Sequence, residues 1–98
     1  MAANKKLTPL LAGRTIQAVS QSDNHLSVTF TDGSTMVVKT GGTVSSDALI
    51  HRVVKGVRQS GTRMNLDFQD GTSAEIALAE ATSSVMLRDK ENKMEYAD

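Results

Sequence analysis

Nine residues, Leu26-Ser27-Val28-Thr29-Phe30-Thr31-Asp32-Gly33-Ser34, return 38 residues later as Met64-Asn65-Leu66-Asp67-Phe68-Gln69-Asp70-Gly71-Thr72. The correspondence extends from 8–40 to 46–78, with eight identical positions and conservative changes at most apolar ones. A pattern that recurs in this order is a duplicated structural unit. A small unit with one apolar face cannot bury that face alone, so the two copies are expected to bury each other.

Each unit reads in the same sequence of elements. Thr8, matched by Ser46, is an N-cap residue type, and Pro9 suits the first position of a short helical turn. Gly13 can end that turn. The corresponding turn in the second unit is Asp47-Ala48-Leu49-Ile50-His51. A strand is expected over Arg14–Ser20, but Ile16 and Val19 are three apart, which a regular strand sends to opposite faces. A β-bulge near Gln17 or Ala18 returns them to one face. Gln21-Ser22-Asp23-Asn24 supplies turn chemistry. His25–Thr31 then alternates, with Leu26, Val28 and Phe30 on one side, and Met36–Thr40 is the return strand before Gly41-Gly42.

The duplication also fixes the hairpin register. A two-residue Asp-Gly loop would set Leu66 opposite Glu75 and turn Glu75 toward the core, where an unpaired carboxylate costs several kcal/mol. A three-residue loop ending in a left-handed glycine sets Val28 against Met36, Leu26 against Val38, Leu66 against Ala74 and Met64 against Ile76. Only this register makes both copies apolar on one face, because a slip of one residue inverts every side chain. Residues 74–81 have high helix propensity, and the repeat overrides it through Leu78, with a switch to helix near Ala79 left open.

The tail, 84–98, has no counterpart in the repeats. Val85 and Leu87 alternate, as do Met94 and Tyr96, around Asp89-Lys90-Glu91-Asn92. The expectation is a third hairpin with a type I turn, pairing Leu87 with Met94 and Val85 with Tyr96. The alternative is an acidic, partly disordered tail after a short strand. Residues 1–6 are polar and expected to fray. The fold expected is mainly β. Two antiparallel meander units, about 7–41 and 45–79, form a small sandwich or partly open barrel with two short helical turns and a C-terminal hairpin, all in one domain.

Phe30, Phe68 and Tyr96 are the only aromatic residues, so the core must be aliphatic. With no cysteine, disulfides, thiolate chemistry and cysteine zinc sites are excluded. No apolar run reaches signal-peptide or membrane-helix length, and a cytoplasmic protein is expected. The formal net charge of zero argues against strong nonspecific nucleic-acid binding.

Candidate chemistry is sparse. Asp47 and His51 sit four apart on a helical turn, and Asp23 and His25 lie near the other copy's loop, but zinc sites want three or four convergent ligands. Asp32 and Asp70 recur together, each in a turn where aspartate has a structural role. No nucleophile elbow or phosphate loop is present, and neither an enzyme nor a cofactor is expected. Two surfaces remain. The first unit's outward residues, Ser27, Thr29, Thr31, Thr35 and Val37, form a flat uncharged face suited to a protein partner or a second copy of the chain. The second unit carries Arg52, Lys55, Arg58 and Arg63, an alternative basic stripe for nucleic acid. It lacks surface aromatics, since Phe30 and Phe68 belong to the core by periodicity. A non-enzymatic protein-binding or self-assembling module is the favoured reading.

Overall fold

A computed structural model of the chain describes residues 2–42 and 49–98. The elements run β1 (Ala2–Ala3), α1 (Leu7–Leu11), β2 (Ile16–Ser22), β3 (His25–Phe30), β4 (Thr35–Lys39), β5 (Val54–Ser60), β6 (Arg63–Phe68), β7 (Ser73–Ala77), β8 (Val85–Arg88) and β9 (Met94–Ala97). They form two antiparallel sheets that do not close into a barrel. One is four-stranded in the order β1-β5-β6-β7, and the other is five-stranded in the order β2-β3-β4-β8-β9.

The two meanders match strand for strand. The register shifts between Ile16 and Ala18 in one and between Val54 and Gly56 in the other, which is the bulge expected near Gln17. It turns Ile16 and Val19 to the same side, Ile16 fully buried and Val19 packed against the core. The β3–β4 and β6–β7 hairpins have the three-residue loops required by the repeat. Val28 faces Met36 and Leu26 faces Val38, while Leu66 faces Ala74 and Met64 faces Ile76. Gly33 and Gly71 close these loops, each at φ +90°.

The halves meet through reciprocal hydrogen bonds. Gly13 N–H donates to Val54 O (2.8 Å) and His51 N–H to Ile16 O (2.9 Å). Ile16 N–H donates to Arg52 O as Val54 N–H does to Arg14 O, both at 2.9 Å. At the other corner Gly41 N–H donates to Ala77 O as Ala79 N–H does to Lys39 O, again both at 2.9 Å. Every bond becomes its companion when each residue is exchanged for its equivalent 38 positions away. Two bridges, Thr15 with Val53 and Thr40 with Leu78, join residues that are each other's equivalents. A pseudo-twofold axis therefore runs through both bridges. Leu26, Val28, Phe30, Met36 and Val38 from one half meet Val57, Met64, Leu66, Phe68 and Ile76 from the other in a single buried cluster.

Three sequence expectations need correction. The N-terminus is tied down: Ala2 and Ala3 pair with Gln59 and Arg58 at the edge of β5. Thr8 does not cap α1. Asn4 does, its side-chain oxygen accepting the N–H groups of Lys6 (3.2 Å) and Leu7 (2.9 Å). The Thr8 hydroxyl is instead committed to Val57, accepting its N–H at 3.0 Å and donating to its carbonyl at 3.2 Å. This frees Leu7 and Leu11, four apart on one side of the helix, to be fully buried. The third hairpin exists, but Leu87 faces Tyr96 and Arg88 faces Met94. Its loop closes over three residues, with Asn92 N–H donating to Asp89 O at 2.9 Å and Asn92 at φ 68°. A register irregularity between Leu87 and Arg88 adds a second one-residue change. Two such changes keep Tyr96 on the side of Val85 and Leu87, which are buried as expected, but Met94, beyond the irregularity, is turned to the outward side beside Arg88 and is 51% exposed. The strand required by the repeat is found, β7 ending at Ala77 with Leu78 bridged to Thr40, and the chain then bends through 79–83 with no helix. Of the second helical turn, Leu49–His51 form a turn closed by Arg52 N–H to Leu49 O (3.2 Å), while Ser46, Asp47 and Ala48 lie outside the described residues.

The tail breaks the symmetry. β8 lies along β4, with Val38 opposite Val85, Met36 opposite Leu87, Val37 opposite Met86 and Thr35 opposite Arg88. Among the described residues no strand occupies the equivalent edge of β7.

Candidate binding face

The outward side chains of the five-stranded sheet form two rows across the strands. One row is Ser20, Ser27, Val37, Met86 and Ala97. The other is Ala18, Thr29, Thr35, Arg88 and Met94. Of the residues read from the sequence as a partner surface, Ser27, Thr29, Thr35 and Val37 sit together at the centre of these rows, each half-buried. Thr31 stands apart, exposed in the loop beyond β3. The tail hairpin extends the face with Met86, Arg88, Met94 and Ala97, which the sequence did not assign to it. Alternation with buried Val85 and Leu87 was the available signal for Met86 and Arg88, whereas alternation with Tyr96 pointed Met94 to the wrong side, and nothing in the chain marked β4 as the strand they would join.

A groove of about 610 Å³ opens on this face. Its floor is Val37, Met86 and Ala97, with the rim of Val85 beneath. His25 and Lys39 stand at one end, opposite each other on neighbouring strands, and Arg88 contributes from the other. Ser83 and Asp98 form a side wall. That wall is built on a constrained loop. Ser83 has φ 59°, and the buried Ser84 hydroxyl donates to Glu80 O (2.7 Å) while accepting Glu80 N–H (3.1 Å). Ser84 and Val85 N–H both donate to Asp98 O, at 2.7 and 2.8 Å, and Lys39 N–H donates to Ser84 O at 2.7 Å.

Charge pairing separates the arginine of this groove from the other four arginines. Arg14 lies 2.9 Å from Glu95 and 3.6 Å from Asp32. Its repeat equivalent Arg52 pairs with Asp70, the equivalent of Asp32. Arg58 grips Asp67 through two hydrogen bonds of 2.8 and 2.9 Å, and Arg63 lies 3.7 Å from Glu75. Among the described residues Arg88 is the one arginine without a carboxylate partner. Its guanidinium reaches only the Met86 sulfur (3.2 Å) and Asn92 O (3.4 Å). Lys39 likewise has no carboxylate within ion-pair distance among the described residues.

The basic residues of the second unit do not form one continuous stripe. Lys55, the exposed bulge residue, and Arg58 line a shallow hollow of about 430 Å³ that Asp67 also lines. Arg52 belongs to the corner beside Asp70, and Arg63 begins β6. The recurrent aspartates hold their turns: Asp32 Oδ1 accepts the Ser34 N–H and hydroxyl, and Asp70 Oδ1 accepts those of Thr72. The Thr72 hydroxyl, then its N–H and the Arg52 guanidinium, draw the Asp70 carboxyl down to about 2. The Ser34 hydroxyl chiefly lowers Asp32, with its N–H and Arg14 adding to the effect against a smaller opposing cost of burial.

Among the described residues no three His, Cys, Asp or Glu side chains converge as metal ligands. His51 is exposed at φ 67°, in the place that Gly13 takes at 88°, and Asp47 lies outside the described residues. Among the described residues no helix is long and apolar enough to cross a membrane. No protein-family model, curated protein or solved structure matches the chain.

Proposed function

We propose that this protein is a non-enzymatic binding module that docks a partner protein on the outer face of its five-stranded sheet. The observation that carries the reading is the groove over Val37, Met86 and Ala97, an apolar floor between Lys39 and Arg88 that continues an uncharged run of Ser27, Thr29 and Thr35. Flat, uncharged sheet surfaces associate readily, and a concave apolar patch gives such association a place to anchor. The pairing of Arg52, Arg58 and Arg63 with carboxylates favours this face over a nucleic-acid surface on the second unit, since each guanidinium must give up its carboxylate before it can take the place of a counterion on a phosphate backbone.

The test is affinity capture from the host lysate, with nuclease added, comparing the native chain with face and stripe variants. Proteins retained by the native chain should be lost with Thr29→Lys and with Val37→Lys, and kept with Lys55→Glu. Retention that survives both face variants, or that disappears with nuclease, would overturn the proposal. A doubling of mass in light scattering that Val37→Lys abolishes would identify the partner as a second copy.

A further inference from the structure

We infer that the groove recognises an extended peptide segment that carries an apolar side chain between two carboxylates. The inference rests on the binding role proposed for this face and names the chemistry of its ligand.

The register sets the dimensions. Thr35 faces Arg88 and Val37 faces Met86, so Lys39 lies four residues along the strand from the level of Arg88. At about 3.3 Å per residue, the backbone positions that carry the two cations are separated by about 13 Å along the strand direction. Val37 and Met86 lie midway between them, and Ala97 continues the same row. An extended peptide rises by the same amount per residue. Carboxylates at its positions i and i+4 therefore match the two ends, and an apolar side chain between them meets the floor. A single-headed amphiphile such as a fatty acid would use one end and leave the other cation unpaired.

The charges at both ends are available. Lys39 has no carboxylate partner among the described residues, and His25 stands beside it. Arg88 holds only a thioether and a carbonyl oxygen, weak partners for a guanidinium that can take a carboxylate through two parallel hydrogen bonds.

The experiment is a titration of the ¹⁵N-labelled full chain with a blocked heptapeptide. Its second and sixth residues are glutamate, with threonine-valine-threonine between them. Amide shifts should concentrate at Val37, Lys39, Met86, Arg88 and Ala97. Reversing both charges, Lys39→Glu with Arg88→Glu, should weaken binding by about tenfold or more and transfer preference to the matching peptide with lysines in place of glutamates. Neither residue belongs to the core, and the single changes Lys39→Gln and Arg88→Gln give a milder loss in the same direction. Three results overturn the inference: no shifts at millimolar peptide, shifts indifferent to the charge reversals, or equal shifts at both ends of the groove from decanoate. If the peptide fails while Val37→Lys still releases the retained partner, the ligand chemistry is wrong and the binding face stands.

Discussion

Gly33 and Gly71 occupy the same position in their hairpins and the same φ of +90°, yet their surroundings differ. A side chain at either place strains the backbone by about 1–2 kcal/mol. A Cβ on Gly71 meets nothing within 4 Å, whereas one on Gly33 would lie 3.0 Å from Lys90 Cβ in the neighbouring turn. Gly33→Ala should therefore lose more stability than Gly71→Ala in urea titrations, and equal losses would show that the β8–β9 turn does not rest on this loop. The paired aspartates give a second residue-scale expectation. A folded carboxyl held at about 2, against about 4 in the unfolded chain, contributes stability that is complete above pH 4 and disappears as the pH falls toward 2. Asp70→Asn keeps an acceptor for the Thr72 N–H and removes the charge. Its thermal midpoint should fall less steeply between pH 4 and 2 than that of the native chain, with Asp32 supplying what dependence remains. These turn roles were legible because Asp and Gly recur together at a fixed spacing. The role of Thr8 was not. A capping residue type at the start of a helix gives no hint that its hydroxyl will bond to Val57, a residue 49 positions away.

At the scale of elements, the hairpins of the two units were readable because each copy constrains the other, and only one register keeps Glu75 out of the core. The tail hairpin had no second copy to constrain it, and its three-residue loop and register irregularity were invisible to alternation. β1 was hidden for a different reason: two alanines offer no pattern, and their pairing with β5 is made by the backbone. The groove was equally hidden, since it exists only once β8 lies beside β4. That placement carries its own test. Lys39 N–H points toward β8, so the N–H of Val37 two residues earlier does too. On β7 the N–H of Leu78 points to β6, which sends that of Glu75 to the other side. Hydrogen exchange should find the Val37 amide protected and the equivalent Glu75 amide fast. Matching protection at the two positions would mean that something covers the edge of β7.

For the molecule as a whole, the duplication predicted two antiparallel units burying a shared aliphatic core, which is what is found; the tail hairpin, outside the repeat, extends one of the sheets. What it could not predict was where the symmetry stops: β1 on β5 without a match on β2, and β8 on β4 without a match on β7. The binding face proposed here lies on the side enlarged by that asymmetry. The pseudo-twofold axis through Thr15–Val53 and Thr40–Leu78 also bears on how the chain is made. A ribosome delivers the first meander well before the second, and until Leu78 has emerged the apolar side of Leu26, Val28 and Phe30 has no intramolecular cover. The surface it awaits resembles the one it already displays. Two nascent chains on neighbouring ribosomes thus offer each other the same reciprocal corners, and the speed of translation through residues 43–78 decides how long that false match stays open.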